Sequence, residues 1–184
     1  MGNLNDTIAA ISTAIGEAGI AIVRMSGDDS VNIIDEIFVS ASGKKMAEAE
    51  NRKFLYGHIA DGDKLIDEVL VVKMKGPHSY TAEDIVEIHC HGGVVSVKRI
   101  LNLILSKGAR LAEKGEFTKR GFLNGRIDLT QAEAVIDMIK AKTDISFDMG
   151  LNQLSGALSE VLNKLKDELV SMQALIVANI DFPD

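Results

Sequence analysis

Three groups of residues in this 184-residue sequence have types and spacings that can do chemistry. Gly19-Ile20-Ala21-Ile22-Val23-Arg24-Met25 is an apolar run of strand length, and period-two alternation puts Ile20, Ile22 and Arg24 on one face. A guanidinium beside isoleucines needs an anion, either a carboxylate of the same chain or a planar anionic ligand. In Ile85-Val86-Glu87-Ile88-His89-Cys90-His91-Gly92-Gly93 the same alternation gathers Glu87, His89 and His91 on one face. Three such side chains can hold a metal, but spacing points to no fourth ligand, and positions two apart on a strand sit ~6–7 Å apart. No metal site is assigned; the other reading is a polar strand end facing a cleft. The third group is Lys107 to Arg126, with Lys107, Arg110, Lys114, Lys119, Arg120 and Arg126 against Glu113 and Glu116. Six basic and two acidic residues give a local +4, which either attracts an anionic ligand or RNA or is simply a solvated face.

Other chemistries find no support. Gly43-Lys44-Lys45 has Phe38 where a phosphate loop needs its first glycine, and Lys45 where the metal-binding Ser or Thr belongs. No glycine-rich dinucleotide fingerprint follows a strand. There is no serine elbow, and the single cysteine, Cys90, has no catalytic constellation in the sequence, so no catalytic residue is assigned.

The elements that must position these residues alternate short β-like runs with helices. After the run ending at Ser26-Gly27, the residues Asp28, Asp29 and Ser30 start a helix with Val31, Ile34, Ile37 and Phe38 at helical spacing. Ser40 to Asn51 reads as a loop. Lys53 to Ala60 and Leu65 to Lys75 read as a hairpin around Asp61-Gly62-Asp63-Lys64. Ile85 to His91 is a further strand. Gly92-Gly93 opens a helix carrying Val94, Val97, Ile100, Leu101, Ile104 and Leu105, which Lys107-Gly108 ends. Beyond about residue 115 the strand signal is gone. Thr130-Gln131-Ala132-Glu133 has the pattern of a capping box. From Ile145 to about Ile180 there is no proline, and Leu158, Leu162, Leu165, Leu169, Met172 and Ile176 form a stripe expected to pack on other helices. A long, half-paired helix at the end of the chain suggests part of something larger.

Composition sets the class. The chain is 46% hydrophobic and 26% charged, enough for a real core and too apolar for disorder. Its net charge of −7 excludes a surface that binds nucleic acid throughout. Aromatics at 4% without tryptophan count against a base-stacking platform, and one cysteine excludes a disulfide framework. No apolar run approaches the ~20 residues that span a bilayer. The opening Met1-Gly2-Asn3-Leu4-Asn5-Asp6 has no basic signal-peptide region. These features predict a soluble, cytoplasmic α+β domain with helices appended, and a binder rather than a catalyst.

Several segments together resemble one family. They are Asp6-Thr7-Ile8-Ala9-Ala10 with Gly19 to Gly27, then Gly76-Pro77-His78-Ser79-Tyr80-Thr81-Ala82-Glu83-Asp84 running into Glu87 and His91-Gly92-Gly93. The most specific is Gly115-Glu116-Phe117-Thr118-Lys119-Arg120-Gly121-Phe122-Leu123-Asn124-Gly125-Arg126-Ile127-Asp128-Leu129-Thr130-Gln131-Ala132-Glu133-Ala134, and Asp181-Phe182-Pro183-Asp184 closes the set. Across nearly its whole length the chain resembles the MnmE (TrmE) family of tRNA-modification GTPases.

The resemblance implies a domain at 1–121, similar to the tetrahydrofolate-binding domain of aminomethyltransferases, that binds folate and forms a homodimer. It implies that 122–184 begin an all-α helical domain into which a G domain is inserted. The implied folate contacts are Arg24, Glu87 and Arg126, with 5-formyl- or 5,10-methylene-tetrahydrofolate as the one-carbon donor. A pterin's 2-amino-4-oxo edge presents two parallel N–H donors that a carboxylate such as Glu87 can accept. Arg126 stands where lysine is also common in the motif. Further implied are the flavoprotein MnmG (GidA) as partner, tRNA engaged through the full complex, and an aminomethyl-type group placed on the wobble uridine. GTP, magnesium and potassium would be held, and GTP hydrolysed, outside this chain, and Cys90 does not match the family's catalytic cysteine. The alternatives are a folate-dependent aminomethyltransferase acting alone and a metal-dependent hydrolase using Glu87, His89 and His91.

Overall fold

The computed structural model describes residues 6–182, so the sequence readings on Met1–Asn5 and on Pro183-Asp184 lie outside the described residues. The chain divides into two compact units, the first ending at Arg126 and the second beginning at Ile127. The boundary expected between 121 and 122 falls within a helix of the first unit.

The first unit is built on a seven-stranded sheet in the order β3-β4-β5-β6-β2-β1-β7. The strands are β1 (Ile8–Ile11), β2 (Ile20–Ser26), β3 (Phe38–Ser40), β4 (Leu55–Asp61), β5 (Lys64–Met74), β6 (Ile85–His91) and β7 (Arg110–Leu111). Every pairing is antiparallel except β1 with β7. Two helices, α1 (Ser30–Ile37) and α2 (Val94–Ser106), cover one face. The alternation in β2 and β6 explains the choice of face. Ala21, Val23 and Met25, with Val86, Ile88 and Cys90, point into the core against Ile33, Ile34, Ile37, Val97, Ile100 and Ile104. Arg24 and Glu87 therefore lie on the other face.

The turn from β2 into α1 uses Gly27 at φ +128°, where a Cβ would sit 2.8 Å from the Cα of Thr7. No other residue fits that conformation and that space. A third helix, α3 (Glu116–Leu123), closes the unit. Two short strands escaped the sequence reading. β3 follows α1 without a break, and β7 is two residues long, too short for any periodic signal.

The second unit holds α4 (Leu129–Lys140), α5 (Asp144–Leu154) and α6 (Ala157–Asp181). The cap of α4 corrects the expected box at Thr130–Glu133. Asp128 accepts from the Gln131 amide, and the Gln131 side chain accepts from the Asp128 amide, so the box starts two residues earlier. Thr130 donates to Asp128 Oδ1 instead, because a carboxylate is the better acceptor for helix-end amides. A second capping box, Thr143 with Ser146, starts α5. The proline-free stretch is interrupted at Ser155-Gly156, where Gly156 takes φ +96°. The α6 stripe also departs from expectation. Leu158, Leu162, Leu165, Leu169, Met172 and Ile176 are all exposed, and α6 has no buried residue. No helix among the described residues is long and apolar enough to cross a membrane.

Candidate functional site

The register of β2 on β6 sets Arg24 directly opposite Glu87. Arg24 Nε donates to Glu87 Oε1 at 2.8 Å, and Nη2 lies 2.6 Å from the same oxygen. That saturates Oε1, which has two lone pairs. Oε2 is the freer oxygen, approached among the described residues only by His89 Nε2 at 3.4 Å, long for a hydrogen bond. The pair is half-buried, with side-chain exposures of 25% and 14%, so it meets solvent and any ligand from one side only.

Two aromatic rings wall the pair. The Arg24 guanidinium carbon sits 5.4 Å from the Tyr80 ring centroid and 5.6 Å from that of Phe117. Arg126 brings its guanidinium 5.0 Å from the same Tyr80 ring. Each cation gains from the ring's negative face. Among the described residues no carboxylate lies within ion-pair distance of Arg126, so its charge remains available. The structure thus brings together Arg24, Glu87 and Arg126, and adds Tyr80 and Phe117. Two guanidiniums against one carboxylate leave the cluster at +1 with the histidine neutral.

The loop carrying Tyr80 is held from several directions. Ser79 Oγ donates to the Glu83 carbonyl at 2.5 Å, and Ser26 Oγ meets Thr81 Oγ1 and Glu83 Oε2 at 2.7 Å each. Asn124 Nδ2 donates to the Thr81 carbonyl at 2.7 Å, and the Tyr80 hydroxyl shares a 2.9 Å bond with Thr118 on α3. These contacts sustain Ala82 at φ +62°, a conformation that costs a non-glycine residue ~1 kcal/mol.

Arg120 anchors α3 from behind. It is 1% exposed and donates to the Asp6 carbonyl at 2.7 Å, Asp6 Oδ1 at 2.5 Å, Glu83 Oε2 at 3.2 Å and Glu116 Oε1 at 3.3 Å. Arg110 completes the cluster against Asp6 and Glu116 at 2.6 Å each. The Arg110 hydrogen bond, with Arg120 beside it, holds the Asp6 carboxyl below the usual carboxylate range. Burial opposes ionisation of Glu116, but the bonds from Arg110 and the Glu113 amide outweigh it and lower its pKa as well.

This cluster shrinks the basic stretch inferred from the sequence. Arg110 and Arg120 are spent on Asp6, Glu83 and Glu116, and Lys107 lies 3.2 Å from Glu36. Of the six, Lys114, Lys119 and Arg126 have no ion-pair partner among the described residues.

Glu87, His89 and His91 do not converge. His91 Nδ1 lies 2.7 Å from Asp67 Oδ1, and no trio of His, Cys, Asp or Glu among the described residues is placed to hold a metal. Desolvation raises the Cys90 thiol to about 11, so it stays protonated near neutrality. No signal in the sequence marked Tyr80, because an aromatic between Ser79 and Thr81 in a loop has no periodicity to reveal its facing.

Comparison with known proteins agrees with this architecture. Residues 7–126 match the family model described as GTP-binding protein TrmE N-terminus, and 129–184 match the MnmE helical domain. The chain is 62% identical over 183 residues to a tRNA modification GTPase MnmE of Alkaliphilus metalliredigens, covering 98% of the chain and 40% of that protein. It is 57% identical over 181 residues to that of Clostridioides difficile (98% and 39%) and 50% identical over 181 residues to that of Bacillus subtilis (97% and 39%). The chain spans about 40% of the length of these curated relatives. With both units matched in order, the α+β unit followed by helices belongs to the TrmE/MnmE family.

Proposed function

We propose that this chain is the folate-binding, dimer-forming part of a longer tRNA-modification GTPase. One observation carries the reading: Arg24 and Glu87 meet in register, and Arg24 and Arg126 both lie against the Tyr80 ring. A reduced pteridine is flat and offers N–H donors on one edge and carbonyl oxygens nearby. Glu87 Oε2 accepts the former, the guanidiniums suit the latter, and Tyr80 and Phe117 supply apolar walls. The excess positive charge favours a ligand that carries carboxylates. The bidentate pterin contact at Glu87 requires Arg24 to yield part of Oε1, so Arg24 would shift as the ligand enters.

The relatives' name, tRNA modification GTPase MnmE, supports a tRNA-modifying whole. In that protein the folate would supply a one-carbon unit to the wobble uridine with MnmG as partner, in the cytoplasm. GTP and its metal ions would be held by residues beyond this chain, whose sequence has no phosphate loop, so the chain alone is expected not to hydrolyse GTP. Homodimer formation rests on the family resemblance, and sedimentation velocity at micromolar concentration checks it; a monomer would contradict it.

Equilibrium dialysis with 5-formyltetrahydrofolate tests the site. Saturable binding that Glu87→Ala abolishes is expected. Binding that survives Glu87→Ala places the ligand elsewhere, and no binding to the wild-type chain sinks the reading.

A further inference from the structure

Beside the Arg24–Glu87 pair, on the same sheet face, lies a cavity of about 320 Å³ whose walls include Ile20, Tyr56, Glu68, Leu70 and His89. His89 belongs to both places. The register sets it between Ile22 on β2 and Leu70 on β5, two residues along β6 from Glu87. Its ring is fixed by the Phe54 ring, which it meets edge-on at 84° and 5.0 Å between centroids. Its Nε2 points at Glu87 Oε2 from 3.4 Å, so neither atom is satisfied by the other.

We propose that His89 contacts the ligand directly, and that the ligand runs from Glu87 across the His89 ring into this cavity. The inference rests on the folate reading and assigns the direction in which that molecule lies. Three observations point the same way. Ile20 is 65% exposed and Leu70 44% exposed, large apolar side chains on a sheet face that gain by being covered. The Tyr56 hydroxyl is already engaged with Glu68 Oε1 at 2.7 Å, so what Tyr56 offers the cavity is its ring. Successive same-face positions on a strand are ~6.6–6.8 Å apart, the separation of two rings joined by a two-atom bridge. A ligand with a hydrogen-bonding heteroaromatic edge, a short bridge and a benzoyl ring matches that sequence of surfaces. The cavity side then receives the benzoyl ring. Arg126, against the Tyr80 ring and absent from the cavity walls, is left to the pteridine end.

Calorimetry with two ligands tests this: 5-formyltetrahydrofolate, and a 5-formyl-6-methyltetrahydropterin that lacks the arm. His89→Ala is expected to cut the preference for folate over the armless pterin about tenfold, the worth of one good aromatic contact. Arg126→Met is expected to weaken both ligands in equal proportion. The imidazole resonances of His89 should move further when folate is added than when the armless pterin is added; this readout needs no substitution. His89→Gln provides a second variant, with thermal melting as the check on folding. An unchanged preference in the His89 variants, or imidazole resonances that ignore folate, overturns the inference while the folate reading stands. If the wild-type chain binds neither ligand, both fall together.

Discussion

The Arg120 guanidinium donates to both the carbonyl and the carboxylate of Asp6, 114 positions earlier in the chain. It ties the segment before β1 to α3, and through Glu83 it also ties in the loop that presents Tyr80. Replacing it strips the half-buried Glu83 of its cation and leaves Asp6 and Glu116 to Arg110. Arg120→Met should therefore destabilise the first unit by about 3–5 kcal/mol in urea denaturation. Arg126→Met removes only a cation over a ring and should cost about 0.5–1 kcal/mol. Similar costs for the two substitutions would mean that the cluster is not a structural anchor.

The same cluster sets the acid response. Asp6 and Glu116 have folded-state pKa values below their unfolded ones, so their contribution is complete above about pH 4–4.5. It is lost as pH falls through the lowered values. Melting temperature should drop steeply below pH 4, and Asp6→Asn should flatten that drop. An equally steep acid limb in the variant would assign it to other carboxylates.

His91 works in the opposite sense. The Asp67 side-chain hydrogen bond and charge raise its pKa above the ordinary histidine value near 6.5. Its contribution is complete below about pH 6.5 and is lost as pH rises through the folded value. Melting curves between pH 5.5 and 8.5 should show a small decline that His91→Gln abolishes. Titrating the imidazole by NMR gives the midpoint directly, and a midpoint at or below the unfolded value refutes the pairing.

The helix start at Asp128 can be separated from the one suggested by Thr130. Asp128→Ala should cost about 1 kcal/mol and shorten α4 by circular dichroism. Thr130→Ala loses only the hydroxyl contacts to Asp128 and Ser159 and should cost less. The reverse order would restore the downstream box.

Gly92 ends β6 beside the cavity, where a Cβ would lie 2.2 Å from the Ala18 carbonyl oxygen. Gly92→Ala must push that backbone away and should cost about 1–3 kcal/mol. A neutral effect on thermal melting would show that the loop before Ile20 gives way freely.

Much of this molecule is legible in the residues. The alternation in 20–26 and 85–91 fixes which side chains face the helices and which remain outside, since a strand reverses its side chains at every step. The hairpin at Asp61-Gly62-Asp63-Lys64 and the glycine entry into α2 are equally local and equally readable. Local pattern misled where acceptors competed, as at Asp128 against Thr130, and where an element was too short to repeat, as in β7.

Which of two identical side-chain types serves as scaffold and which faces a ligand was not local at all. Arg120 and Arg126 lie six positions apart in one basic stretch, yet one is buried among three acids and the other rests on Tyr80 with no ion-pair partner among the described residues. Sequence alone determined the family, the longer strands and the face holding Arg24 and Glu87. The tertiary structure decided their partners, because the Arg24–Glu87 ion pair and the contacts of Arg24 and Arg126 with Tyr80 join residues far apart in the chain and form only after the strands have found their register.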